Sequence, residues 1–106
     1  MFARLVKSSI KPNHIAEAGQ TFESKIMPML QKAKGFQDAI TLAGPNGFEL
    51  ISITIWDLKE NADAYGATTY PEALKTLSSL LEGTPYVKTY EIATSSISKY
   101  APHVTA

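Results

Sequence analysis

The chain has 106 residues, with ten Lys and Arg against ten Asp and Glu, a formal net charge of zero, and no cysteine. That length fits one domain with one core, and the balanced charge lacks the one-signed surplus that binding to nucleic acid or an anionic membrane usually needs. Without thiols, disulfides, thiolate metal sites and a cysteine nucleophile are excluded.

Residues Met1 to Ile10 contain Arg4 and Lys7 and hold no apolar run of signal-peptide or membrane-span length. A cytoplasmic protein is expected, with neither nucleic acid nor membrane as partner. Phe2 to Ser9 alternates like a strand, with Ala3 and Leu5 on one side and Phe2, Arg4 and Val6 on the other. Pro12 suits a first helical turn. From there Ile15, Ala18, Phe22, Ile26, Met29 or Leu30, and Ala33 recur at steps of three and four, which predicts a long amphipathic helix stopped by Gly35. Pro28 removes a backbone donor and crowds the preceding turn, so a kink or restart is expected near Met27.

Phe36 to Ala43 and Phe48 to Trp56 are β-rich runs joined by Gly44-Pro45-Asn46-Gly47, whose Asn-Gly is expected to supply the positive backbone angles of a tight hairpin. A helical stretch then runs to about Ala67. Thr68-Thr69-Tyr70-Pro71 interrupts it, and a second helix carries Tyr70, Leu74, Leu77 and Leu81 on one face until Gly83 ends it. Tyr86 to Thr94 alternates as a fourth strand, open to extension through Ile97. The domain is placed over residues 1–97 and a C-terminal tail over 98–106.

The order strand, helix, strand, strand, helix, strand predicts an α+β, ferredoxin-like β-α-β-β-α-β fold: a four-stranded antiparallel sheet with both helices on one face. The third strand is apolar on both sides, with Ile51, Ile53 and Ile55 on one and Phe48, Leu50 and Trp56 on the other. One side packs the helices. The other, left in water, would be an aggregation hazard, so a two-fold dimer of sheets is expected.

Ser52, Thr54 and Trp56 are two apart and share a face that mixes hydroxyls with an indole donor. A lone tryptophan at a strand end is commonly core; here it reads as both packed and pocket-lining. Tyr65 and Tyr70 flank the break between the helical pieces, where a phenol hydroxyl can meet a ligand oxygen, although half-buried packing is the commoner fate of a tyrosine. Phe22 and Met29 belong to the core stripe of the first helix and to its inner, ligand-facing side. His14 falls in a first helical turn and His103 in the tail; they have no metal-ligand spacing, so no metal is expected. No Ser-His-acid grouping, phosphate-binding glycine loop or paired carboxylate is visible.

Pro12 through Phe36, with MPMLQKAKGF in the passage from helix to strand, then ISITIWDLKENADAY and YPEALKTLSSLL, resembles the antibiotic biosynthesis monooxygenase-like domains of the dimeric α/β-barrel superfamily over nearly the whole chain. The resemblance implies a homodimer whose two sheets face each other as a barrel, with a pocket in each subunit between sheet and helices. It further implies a cofactor-independent monooxygenase that brings a small phenolic or quinol-like aromatic to molecular oxygen without flavin or metal. Catalysis would fall to Trp56, Ser52 and Tyr65, and substrate binding to Thr54, Tyr70, Phe22, Met29 and His14.

Two departures from the family pattern matter. The iron-ligand histidine of haem-degrading members falls near YPEALK, where this chain has Leu74, which offers iron no ligand atom. The asparagine that cofactor-free oxygenases carry four residues before the tryptophan is Ser52 here. A non-catalytic dimeric ligand-binding or stress-related module of the same fold is the alternative expectation.

Overall fold

In the computed structural model, which describes residues 1–100, β1 (Phe2–Ile10) lies inside a four-stranded sheet. Its neighbours are β3 (Glu49–Trp56) and β4 (Leu81–Glu91), and β2 (Phe36–Ala43) forms the other edge, in the order β2-β3-β1-β4. Every pairing is antiparallel. The helical segments are inserted between β1 and β2 and between β3 and β4, giving the expected ferredoxin-like topology.

The register decides which residues meet the helices. Arg4 stands opposite Thr54, and Val6 opposite Ser52, on the inner face. Leu5 stands opposite Ile53, which faces Ile40 on its other side, and all three belong to the outer face. Inner-face residues join the buried core with Ala18, Phe22, Leu30, Ala73 and Leu77 from the helices. On the outer face Ile40, Leu42, Tyr86 and Tyr90 are exposed.

The first helical passage is built in three parts: α1 (Ile15–Thr21), a π-helical turn over Phe22–Ile26, and α2 (Met27–Gln31). The sequence places the break near Met27; the structure makes it with the π turn. Pro28 then falls in the first turn of α2, where a missing backbone donor costs little. The side-chain phase explains the wider turn. Ala18, Phe22, Ile26 and Leu30 are all buried and step by four. On a regular α-helix each such step overshoots the 3.6-residue turn by about 40°, or about 120° over three steps. A π turn holds more residues per turn and takes up that overshoot.

Three further expectations are corrected. The β2–β3 hairpin does not use Asn46 at positive φ; only Gly47 adopts it, at 79°. Asn46 contributes through its side chain, whose Oδ1 accepts the Phe48 N–H at 3.0 Å. The second helical passage, α3 (Lys59–Thr68) and α4 (Tyr70–Leu77), breaks at Thr69 as expected but ends in a 3-10 turn over Ser78–Leu80, and β4 begins at Leu81. Leu81 and Glu82 pair with Ile10 and Ser9 beyond an irregularity in the ladder. Gly83, at φ 72°, therefore serves an offset strand and does not stop a helix. Finally, β4 ends at Glu91, short of Thr94 and without extension through Ile97, and Ser98–Tyr100 form a 3-10 turn. Lys99 ties that turn to Asp38 of β2 at 2.6 Å. His103 lies outside the described residues. Among the described residues no helix is long and apolar enough to cross a membrane.

Candidate functional site

Alternation along β1 and β3 aims Arg4, Val6, Leu50, Ser52 and Thr54 at the helices. The π turn presents Phe22 and Ile26 to them, and α3 and α4 present Tyr65, Tyr70 and Leu74. Between these residues remains a cavity of about 40 Å³, more than the 10–15 Å³ or so that one water requires. It is mostly apolar, with hydroxyls and one cation. Among the described residues no carboxylate or imidazole lines it.

Arg4 is the unexpected member. Its residue is 6% exposed, and its guanidinium lies 4.2 Å from the centre of the Tyr70 ring and 5.4 Å from that of Tyr65. Among the described residues no carboxylate comes within ion-pair distance; the pairs are Lys7–Glu49, Lys59–Asp63 and Lys99–Asp38. Gly66, one residue after Tyr65, makes room, because a Cβ there would come within 3.2 Å of Arg4 Nη2. Burial pulls the guanidinium below its ordinary pKa, and the two tyrosines and Asp63 oppose that. Burial likewise pushes the Tyr65 and Tyr70 hydroxyls up, with Arg4 pulling each down. Both phenols therefore stay protonated at neutral pH and able to donate.

Trp56 is fully buried and does not line the cavity. Its Nε1–H donates to Thr54 Oγ1 at 2.8 Å, and Thr54 Oγ1 donates in turn to the Arg4 carbonyl at 3.4 Å. Its ring packs 5.2 Å from Tyr65 and 5.7 Å, edge-on, from Phe36. Of the residues expected from sequence, the structure brings Ser52, Thr54, Tyr65, Tyr70 and Phe22 to the cavity and sets Trp56 one layer behind. Met29 is half-buried against the core and His14 stands before α1 with Nδ1 2.7 Å from the Pro12 carbonyl; neither lines the cavity. Phe22 and Leu50 also border an open groove of about 740 Å³ beside α1 and β2.

The sequence pattern does not single out Arg4 as a site residue, yet it carries a signal: Arg4 alternates in phase with Phe2 and Val6, which puts a cation on the side of the strand that packs the helices. Among the described residues no three of His, Cys, Asp and Glu come together as metal ligands.

No family model matches the chain, and no curated protein matches it significantly by sequence. Its fold, however, is shared with solved structures. SnoaB, a cofactor-independent oxygenase from Streptomyces nogalater, superposes with a TM-score of 0.74 at 12% identity, covering 91% of this chain and 96% of that one. A monooxygenase from the gene ActVA-Orf6 of Streptomyces coelicolor, solved with nanaomycin D, gives 0.72 at 18% identity over 99% and 89%. NE2512 of Nitrosomonas europaea, a protein of unknown function, gives 0.71 at 17% over 91% and 92%. These likenesses establish the fold, which the chain also shares with an antibiotic biosynthesis monooxygenase of solved structure at 12% identity.

Proposed function

We propose that the chain is a cofactor-independent monooxygenase acting, as a cytoplasmic homodimer, on a small phenolic or quinol-like aromatic. The observation that carries this reading is the buried cavity between sheet and helices, apolar but for Arg4, Ser8, Ser52, Thr54, Tyr65 and Tyr70 among the described residues, in a fold shared with a cofactor-independent oxygenase. An apolar pocket with a few placed polar groups suits a flat ring carrying one or two oxygens.

In the reaction, the ionised substrate gives electrons to O2, a ring carbon–oxygen bond forms, and the O–O bond breaks. One oxygen stays as a carbonyl and the other leaves as water, so a phenol with a free para position and one O2 become a quinone and water. The protein's part is to orient the ring, exclude water and stabilise the anion. The hydroxyls of Ser52, Tyr65 and Tyr70 donate to the substrate oxygen. Trp56 acts as a positioning residue through Thr54.

The dimer is supported by the exposed apolar outer face at Ile40, Leu42, Tyr86 and Tyr90. The cysteine-free composition accords with the cytoplasm. A cavity of this size admits a single ring only after its wall yields, so a panel of single-ring phenols and quinols is the appropriate start. Thermal stabilisation together with oxygen uptake at an electrode is expected. The same stabilisation without uptake would favour the non-catalytic binding module; neither signal would remove the cavity as a site.

A further inference from the structure

We infer that Arg4 is the recognition group of this cavity and that the ligand is bound as an anion, a small aromatic carboxylate or an ionised phenol or enol, with its negative oxygen on the guanidinium. The inference rests on the reading of the cavity as the ligand site and names the charge of what fills it.

A buried guanidinium normally has a carboxylate beside it, because an uncompensated charge is poorly tolerated away from water. Arg4 has none. Among the described residues Asp63 is the one acid whose field reaches it, and that carboxylate is exposed and paired with Lys59 at 2.9 Å. The ring faces of Tyr65 and Tyr70 hold the cation in place while using none of its N–H donors, and among the described residues the side chain makes no hydrogen bond to protein. A planar fork with unused donors at an apolar cavity matches a carboxylate or phenolate oxygen.

The local sequence is consistent with this role. Glycine weakens a helix interior, yet α3 carries Gly66 where any larger residue would press on Arg4 Nη2 and Nε. The titratable groups facing Arg4 are Tyr65 of α3 and Tyr70 of α4, with Asp63 further off. Both tyrosines stay neutral, so Arg4 sets the charge of the site at neutral pH. Ionisation of a bound phenol is favoured by the adjacent cation, which lowers the phenol's pKa.

Two ligand pairs test the inference. Benzoate and benzamide have nearly the same shape and differ in charge; in calorimetry the wild type should bind benzoate about tenfold or more tightly, and Arg4→Met should erase the difference. 4-Nitrophenol and 4-nitroanisole provide the phenolate arm. The visible phenolate band of bound 4-nitrophenol should appear at lower pH than in free solution, by about one unit or more, and return towards the free value in Arg4→Met. Arg4→Lys, which keeps the charge but loses the fork, should retain part of both preferences and serves if the methionine variant does not fold. A preference for benzoate alone assigns a carboxylate, and a preference for the phenolate alone assigns an ionised phenol; both support the inference. Equal affinity within both pairs, a preference that survives Arg4→Met, or no binding of either anion at millimolar concentration overturns it. Anion preference here, with no oxygen uptake across the panel of phenols and quinols that have a free para position, leaves it standing and ends the oxygenase reading. Uptake from neutral phenols with no charge preference does the reverse.

Discussion

Trp56 donates its indole N–H to Thr54 Oγ1 at 2.8 Å, so the one tryptophan of the chain supports the wall of the cavity from behind. Trp56→Phe removes that donor and part of a fully buried ring, and a loss of about 1–3 kcal/mol is expected. In a domain of this size that lowers the melting temperature by roughly 4–8 °C per kcal/mol. Wild-type emission should be blue-shifted and poorly quenched by iodide. Strong iodide quenching would place the indole at a surface and overturn the arrangement.

Arg4→Met should leave the protein at least as stable as the wild type. Burying an uncompensated cation costs several kcal/mol, whereas cation–π contact with the two tyrosines returns about 2 kcal/mol or somewhat more. A rise of about 1 kcal/mol in unfolding free energy is expected from urea titration. A loss of more than about 2 kcal/mol would show that the aromatic contacts dominate.

Gly66→Ala separates fold from site in a different way. Alanine should stabilise the interior of α3 by about 0.5–1 kcal/mol, while its Cβ crowds Arg4 Nη2. A melting point that is unchanged or higher, accompanied by several-fold weaker benzoate binding, is the expected pair of results.

Alkaline pH should weaken the fold through Tyr65 and Tyr70. Burial raises both hydroxyls above their ordinary value despite Arg4, so the folded state holds those protons more tightly than the unfolded chain. Their contribution is present in full below about pH 10 and is lost as pH rises through the raised folded values. Urea midpoints measured from about pH 8 to about pH 11 should therefore fall, and fall less in Tyr65→Phe and Tyr70→Phe.

Ile40→Lys tests the dimer with little disturbance to the subunit. Ile40 is 54% exposed in the isolated chain, so lysine there should change subunit stability by no more than about 0.5 kcal/mol. Across a sheet-to-sheet interface it would bury a charge. Sedimentation should show a wild-type dimer and a folded monomeric variant; a monomeric wild type would remove the barrel.

Element order and sheet faces could be read from the sequence because alternation on Phe2 to Ser9 and Phe48 to Trp56 is a local property, carried by each strand before any partner is known. The inward phase of Ser52 and Thr54 followed directly, and so did that of Arg4, although its significance depended on Tyr65, Tyr70 and Gly66 arriving from α3 and α4. What alternation does not encode is depth. Trp56 shares its phase with Ser52 and Thr54, but Phe36 and Tyr65 close over its ring, and that closure depends on the packing of distant segments. The early start of β4 was hidden for a similar reason. Leu77 and Leu81 fit one helical face, and only pairing with Ser9 and Ile10 draws Leu81 into the sheet.

The π turn over Phe22–Ile26 makes the roof of the cavity sensitive to residue count as well as residue type. Glu23, Ser24 and Lys25 within it are exposed, so deleting one of them would remove no core side chain and would let the segment close into continuous α-helix. Phe22 and Leu30, then seven residues apart, would still share one face to within about 20°, while Ile26, three residues on from Phe22, would turn about 60° away from it. A single-residue deletion on the surface would thus reshape a buried chamber without altering any residue that lines it, a route to new ligand preference that substitution scanning along the cavity wall would never sample.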